Sequence, residues 1–297
     1  MSSTPASSNP TPPPPSIFRE YIDPNHFRPF PNNIINPNIS EFHFVLTFAV
    51  ETYQGEAENP RGTGHFNSTW DIERFGPADI RSLKQAHTNA KFVISIGGRG
   101  ADHSFNPVDS ENWIRNAECS LTNILRRYNN ENENLEKIID GIDVYYEYIN
   151  SDHFNHCIGE LINRLKNENL VDVVSITPSR NVLPQYSALF QDNQAAIGLV
   201  NYQFHTEDVH TVGDFIHRFY YLRSTVFGQN KLMVGFSTVP GEYVNFSPPV
   251  FIDLCQQIIE SGFLKGISVW NASYSARYLP PFYIEQRAQA FLTGSDD

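Results

Sequence analysis

The chain has 297 residues, of which 40% are hydrophobic and 13% aromatic, a composition of globular rather than disordered proteins. Its formal net charge of -12 disfavours nucleic acid and anionic membranes as partners, because both attract basic surfaces. Cys119, Cys157 and Cys255 show no CxxC spacing, so we expect buried free thiols rather than disulfides or a zinc site. No motif for a metal or an organic cofactor is present.

The first 16 residues are rich in Ser, Thr and Pro and poor in apolar groups, which predicts a disordered or extended tail over residues 1–16. They lack the basic stretch followed by an apolar stretch that marks a secretory signal, and no apolar run approaches the length of a membrane span. We therefore expect a cytoplasmic monomer rather than a vacuolar or secreted protein.

From residue 17 onward, short β-branched or aromatic runs alternate with longer segments of helical period. The strand candidates are residues 17–22, 41–50, 91–98, 137–146, 171–177, 196–204, 231–237 and 266–270. The helix candidates include residues 77–87, 111–128, 154–167, 212–227 and 251–262. Eight alternating units predict an α/β fold, a single (β/α)8 TIM barrel over residues 17–297. Its first unit is the weakest, because residues 23–40 hold too much Pro and Asn for a long helix.

The fourth strand candidate leads into DGIDVYYE at residues 140–147, with acidic groups at Asp140, Asp143 and Glu147. Side chains alternate along a strand, so Asp143, Tyr145 and Glu147 share one face. If that face lines a barrel, Glu147 emerges at its rim, where partial burial would raise its pKa and suit a general acid. The alternative for such a string is a solvated acidic strand end with capping Asp residues.

DGIDVYYE resembles the DxxDxDxE signature of glycoside hydrolase family 18, the chitinases and their relatives. SIGG at residues 95–98, Pro178 and GISVW ending on Trp270 are similar to further motifs of that family, in the same order. IFREYI, ISIGGRG and YQF also resemble strings of the narbonins, plant seed globulins of the same fold. The resemblance implies that Glu147 is the family's proton donor and that Tyr145 replaces the Asp that orients the substrate's acetamide and stabilises the cationic intermediate.

Tyr145 is neutral at pH 7, since the reference pKa of tyrosine is about 10, so it cannot supply the missing negative charge. Losing a stabiliser of that kind typically costs about 3 to 4 kcal/mol, or two to three decades in rate. Arg99 follows the third strand candidate, and we hypothesise that it forms an ion pair with Glu147. The alternative is that Arg99 faces solvent or an unrelated acid such as Asp102.

Four residues near the sixth and eighth strand ends are candidates for sugar binding: Tyr202, Gln203, His205 and Trp270. The family pattern at strand six is Gln, Phe, Tyr, and His205 replaces that Tyr. Trp270 matches a sugar-stacking indole, although a Trp that ends a barrel strand can also plug the core.

Three functions stay open. The first is a catalytically inactive, narbonin-like protein with a seed or vegetative storage role, which a content of 28 Asn against 2 Met and 3 Cys would suit. The second is a residual chitinase, retaining and substrate-assisted, that acts on N-acetylglucosamine glycans. The third is a carbohydrate-binding or hydrolase-inhibitor protein with weak affinity for chitooligosaccharides.

Overall fold

The computed structural model describes residues 16–27, 30–56, 59–129, 137–242 and 246–295. The predicted tail lies outside these residues, apart from Ser16. Within the described chain the strands are β1 (Ile17–Ile22), β2 (Glu41–Gln54), β3 (Arg61–Ser68), β4 (Ala90–Gly98), β5 (Gly141–Tyr146), β6 (Val173–Ile176), β7 (Leu199–Gln203), β8 (Leu232–Ser237) and β9 (Gly266–Trp270).

Eight of these strands close into a parallel barrel. They pair in the order β1, β9, β8, β7, β6, β5, β4, β2, and the ring closes because β1 also pairs with β2. The remaining strand, β3, runs antiparallel to the long outer half of β2 and forms a hairpin with it. The predicted (β/α)8 barrel is confirmed, and all eight strand candidates overlap its strands.

Helices cover the outside of the barrel between successive strands. They are α1 (Pro77–Ala86), α2 (Ser110–Asn129), α3 (Phe154–Asn167), α4 (Leu183–Asp192), α5 (Val212–Tyr221), α6 (Pro248–Glu260), α7 (Ala272–Ser275) and α8 (Tyr283–Thr293). A π-helical turn over Leu222–Val226 extends α5 almost to its predicted end. The described parts of residues 23–40 hold short 3-10 turns at Pro24–His26 and Asn32–Ile34, as their Pro and Asn content predicts.

The apolar core lies between the barrel and its helices. Outward-facing aromatic residues of the first strands, among them Phe18, Phe42, Phe44 and Phe92, are fully buried there. The expectation of buried thiols holds for Cys157 and Cys255 but is wrong for Cys119, which lies on the exposed side of α2. No helix of the described residues is long and apolar enough to cross a membrane.

The lumen of the barrel is filled in three levels. Apolar side chains form its floor, namely Ile17, Val173, Leu199 and Met233. A polar level lies above them and contains Arg19, His43, Ser95, Asp143 and Ser175, all without solvent exposure. An aromatic level closes the carboxyl end of the strands with Tyr21, Phe48, Tyr145 and Trp270. Any site at the barrel mouth must therefore be built on this aromatic level.

Candidate functional site

The acidic residues of DGIDVYYE lie at three different heights along the axis of β5. Asp140 precedes the strand at its amino end, roughly 20 Å of extended chain below Glu147. Both of its oxygens lie 3.0 Å from Nζ of Lys84, and one accepts the backbone N–H of Phe92 at 2.8 Å. Burial raises the pKa of Asp140, although Lys84 opposes the shift. Asp140 thus fastens the base of the strand and is remote from the mouth.

Asp143 is fully buried in the polar level of the lumen. Its oxygens accept hydrogen bonds from the hydroxyls of Tyr21 at 3.1 Å, Ser95 at 3.0 Å, Thr177 at 2.9 Å and Ser175. Arg19 adds an ion pair, with Nη2 3.4 Å from Oδ1. A carboxylate holds about four acceptor positions, so these donors occupy all of its capacity. Asp143 has no free acceptor to offer a ligand in the mouth.

Arg19 is the buried cation that balances Asp143, and it also fixes the protonation of His43. Its Nη1 lies 3.1 Å from Nδ1 of His43, whose Nε2 lies 2.7 Å from a carboxylate oxygen of Glu41. Arginine can only donate, so Nδ1 accepts and the Nε2–H group donates to Glu41. Burial lowers the pKa of His43 to about 4, which keeps the ring neutral at pH 7. The Arg19–Asp143 pair is therefore the charged centre of the lumen.

Tyr145 occupies the position above Asp143 and is 2% exposed. Its ring contacts those of Tyr21, Phe48 and Trp270, with centroids 5.9, 5.3 and 5.6 Å away. Its hydroxyl lies 3.2 Å from Oε1 of Glu147 and 3.3 Å from Oε1 of Gln203. Burial, reinforced by the charge of Glu147, raises the pKa of Tyr145 well above its ordinary value. A neutral phenol therefore stands here, and its single proton serves two acceptors.

The close approach of β4 to β5 at this height depends on Gly97. Its backbone has a φ of 106°, and a Cβ atom there would lie 2.2 Å from the carbonyl oxygen of Tyr145. No side chain other than hydrogen fits that space. The glycines of SIGG thus place the end of β4, and the loop with Arg99, directly beside Tyr145 and Glu147.

Glu147 lies at the rim, where its side chain keeps 21% of its exposure. The backbone N–H of Gly100 donates to Oε2 at 2.9 Å, and Nε of Arg99 lies 3.5 Å from Oε1. The closer partner of Arg99 is Glu242, 2.8 Å from its Nη2. Burial works to lower the pKa of Arg99, but Tyr145, Glu242 and Glu147 raise it. Arg99 thus bridges two carboxylates across the mouth, and sequence reasoning missed Glu242.

Gln203 and His205 face the lumen from the end of β7. The amide of Gln203 accepts from Tyr145 and donates to the carbonyl of Thr177 at 3.1 Å. The ring of His205 is partly buried, and burial lowers its pKa to about 4 against a hydrogen bond with the Gly235 backbone. His205 is therefore neutral at pH 7.

Tyr202 does not belong to this group, contrary to the sequence-based assignment. It lies on the opposite face of β7, where its hydroxyl contacts Glu207 and receives a hydrogen bond from Arg218 at 3.2 Å. Neighbouring residues of a strand point to opposite faces, so Tyr202 and Gln203 cannot both face the lumen. Tyr202 packs beneath the helices instead.

Trp270 has no open face for a sugar. The residue is 9% exposed, its ring contacts Tyr21, Phe48 and Tyr145, and the guanidinium of Arg99 lies 5.0 Å from its centroid. The cavity beneath it measures about 10 Å³, room for about one water. Ligand pockets usually measure roughly 300 to 1,000 Å³. The geometry therefore supports a core-filling role for Trp270 rather than a sugar-stacking role.

Other features of the described residues add no cofactor site. No group of three or more His, Cys, Asp or Glu in this part of the chain is arranged to hold a metal ion. A cleft of about 310 Å³ opens outside the barrel, between the β2–β3 hairpin and the start of α2, with Trp113 among its lining residues. Its lining has no carboxylate pair or nucleophile arrangement.

Comparison with known proteins agrees with the residue pattern. The profile of glycosyl hydrolases family 18 matches residues 42–240. Chitinase 1 of Tulipa saxatilis subsp. bakeri is 32% identical over 285 residues, covering 93% of this chain and 87% of its own. The RuBisCO-associated protein of Glycine max is 28% identical over 286 residues, covering 89% and 95%. The solved family 18 chitinase of Crocus vernus is 34% identical, with a TM-score of 0.80 and coverage of 94% and 100%. The chain therefore belongs to glycosyl hydrolase family 18.

Proposed function

We propose that this chain is a non-catalytic member of its family that serves as a storage protein rather than as a hydrolase. The observation that carries the proposal is the filled mouth: Tyr145 and Trp270 leave a cavity of about 10 Å³ where a substrate sugar would have to enter. A monosaccharide ring cannot enter without displacing both side chains. Occlusion alone would thus prevent turnover, whatever the charges present.

The electrostatics of the mouth support the same conclusion. Tyr145 is neutral and Asp143 is saturated by its own donors, so neither supplies a free negative charge to a cationic intermediate. Removing one preorganised stabiliser typically costs about 3 to 4 kcal/mol in the barrier. A substrate that entered a loosened mouth would therefore still react two to three decades more slowly.

The surroundings of Glu147 also fit an idle acid. Its oxygens face the Gly100 N–H, the Tyr145 hydroxyl and the Arg99 guanidinium, all of which are donors. Each of these groups can donate a hydrogen bond to the carboxylate, and none positions a carboxyl proton toward a glycosidic oxygen. The general-acid role that the family pattern gives to this position is thus unsupported by its neighbours.

The storage role rests on composition and on the kinship with plant proteins. The chain holds 28 Asn, each with two nitrogen atoms, against 2 Met and 3 Cys, so it is rich in nitrogen and poor in sulfur. Because the closed lumen holds no substrate groove, residues at the mouth need not be kept for catalysis. The nitrogen-rich composition can then serve storage.

The test is hydrolysis of chitooligosaccharides by the purified chain, with Glu147→Gln as the matched control. We expect equal rates within error, because the carboxyl that the control removes does no chemistry. A rate for the unmodified chain tenfold or more above that of Glu147→Gln would overturn the proposal.

A residual chitinase is the second candidate, and the presence of Glu147 at the rim above Asp143 favours it. Its test is the variant that combines Tyr145→Asp with Arg99→Ala, which restores the family's carboxylate and frees Glu147. A gain in hydrolysis that a third change, Glu147→Gln, abolishes would show that the scaffold stands close to catalysis.

Calorimetric titration with chitooligosaccharides tests weak sugar binding, for which the buried face of Trp270 predicts no measurable heat.

A further inference from the structure

A pair of buried carboxyl groups lies outside the lumen, between the barrel wall and the last helix. Glu20 projects outward from β1 and Glu285 projects inward from α8, and both residues have no solvent exposure. The two side chains meet in hydrogen-bonding contact. None of their four oxygens has another hydrogen-bond donor among the described residues.

The elements around this pair supply no positive charge. Within β1, Arg19 and Tyr21 point to the opposite face and bind Asp143. The residues in register with Glu20 on the two neighbouring strands are Phe44 and Val269, both apolar.

The helices contribute no free cation either. Arg287 of α8 pairs with Asp253 of α6 on the outer surface, with the Arg287 side chain 30% and the Asp253 side chain 52% exposed. The hydroxyl of Ser275 on α7 donates to Thr238 at 3.2 Å rather than to the pair, and its proximity acts to lower the pKa of Glu285. The carboxyl pair is thus buried without a counter-ion in the part of the chain that the structure describes.

Two carboxylates cannot both be ionised in such a place. Each charge would lose its hydration, and the two would repel each other at contact distance. Burial, reinforced by the facing carboxyl, raises the pKa of Glu20 well above its ordinary value, and burial raises that of Glu285 to about 7. At neutral pH one carboxyl O–H donates to the other group, and this shared proton turns a repulsion into a hydrogen bond.

The pair joins the first strand of the barrel to its last helix. Gln289, one turn further along α8, donates to the carbonyl of Ile34 at 2.8 Å and accepts from the N–H of Asn36 at 2.9 Å. These amide contacts do not titrate, so the carboxyl pair is the pH-sensitive part of the α8 attachment.

We propose that the proton-mediated contact between Glu20 and Glu285 fastens α8 to the barrel at acidic pH, and that loss of these protons to water as the pH rises through neutrality releases the helix. The direction follows from linkage. The folded state binds more protons than the unfolded state between pH 4.5 and the raised values, so the stabilisation is complete below pH 4.5 and declines as the pH rises, and the part due to Glu285 is lost by about pH 7. Each proton lost raises the opening constant of α8 by up to about tenfold per pH unit. The proposal does not depend on whether the barrel is catalytic.

The test is hydrogen–deuterium exchange of the full chain between pH 5 and 8, corrected for intrinsic exchange rates. Between pH 5 and 7 we expect protection of residues 283–293 to fall by up to about tenfold per pH unit for each of the two carboxyls, and less steeply above pH 7, while α3 keeps its protection. Equal pH dependence of α8 and α3 in the unmodified chain would overturn the proposal. A loss of α8 protection on adding a chelator would also overturn it, since the pair would then be holding a metal ion.

Variants localise the effect. Glu285→Gln and Glu20→Gln each remove one ionisable group, and in both we expect the change in α8 protection between pH 5 and 7 to be at least about tenfold smaller than in the unmodified chain. Glu260→Gln, on the exposed side of α6, is the matched control and keeps the dependence of the unmodified chain. A dependence that persists in both pair variants would contradict the assignment to these carboxyls.

Discussion

Replacing Asp143 by Asn would test the account of the lumen most directly. The substitution keeps the size of the side chain but removes the charge that balances Arg19, and both groups are fully buried. At 3.4 Å and an effective dielectric constant of about 20, the lost attraction is about 5 kcal/mol. Breaking one side of a buried pair typically costs about 3 to 5 kcal/mol. We therefore expect the free energy of unfolding to fall by about 3 to 5 kcal/mol.

The assay is urea unfolding followed by tryptophan fluorescence, and the chain offers a matched control. Lys137 and Asp172 form a shorter pair, 3.0 Å, but the Asp172 side chain is 61% exposed. Exposed pairs contribute about 0 to 1 kcal/mol, so Asp172→Asn is expected to change stability by less than about 1 kcal/mol. If Asp143→Asn costs no more than Asp172→Asn, burial does not govern the value of these pairs and the reasoning fails.

Three further predictions concern the mouth and one other buried acid. Tyr145→Phe keeps the ring but removes the hydroxyl that donates to Glu147 and Gln203, so we expect a loss of about 1 to 2 kcal/mol in urea unfolding, against about 3 to 5 kcal/mol for Tyr145→Ala. Arg99→Ala is expected to lower the free energy of unfolding by less than about 1 kcal/mol, since the Arg99 side chain is 40% exposed. The same change should make Trp270 more accessible to acrylamide quenching, and unchanged quenching would contradict the contact between Arg99 and Trp270. Burial raises the pKa of Glu51 to about 7, so its folded state keeps a proton that the unfolded state loses near pH 4.5, and the stabilisation is full below pH 4.5 and lost as the pH rises to 7. Unfolding measured across that range should show this decline in the unmodified chain, by up to about 3 kcal/mol, and a smaller one in Glu51→Gln.

The sequence predicted the barrel because strand alternation is local information. All eight barrel strands contain β-branched or aromatic runs, whereas β3 (RGTGHFNS) was missed because it has only one buried aromatic residue and two glycines. The stretches that form α4 and α8 were not among the named helix candidates, and their apolar faces are only weakly periodic. Element type was thus predictable wherever the apolar pattern was strong.

The site was predictable only where neighbouring strands decide the contact. Arg99 follows β4 and Glu147 follows β5, so their proximity follows from the order of a barrel. Glu242 comes from the loop after β8 and reaches Arg99 across the mouth, a distance that no local pattern encodes. Glu20 and Glu285 are 265 positions apart in the chain, and only closure of the barrel brings them together. Alternation along β7 excludes Tyr202 from the lumen once Gln203 faces inward.

The hydrogen bonds of Arg19 have a consequence for how the barrel assembles. One guanidinium on β1 contacts His43 on β2, Asp143 on β5 and Ser175 on β6, partners that are 24, 124 and 156 positions away in the chain. The contacts with β5 and β6 form across the lumen, so they exist only once strands far apart in the chain have come together. A guanidinium enclosed without these acceptors would be destabilised by on the order of several kcal/mol. The residue that neutralises the lumen thus also ties the first strand to the middle of the barrel.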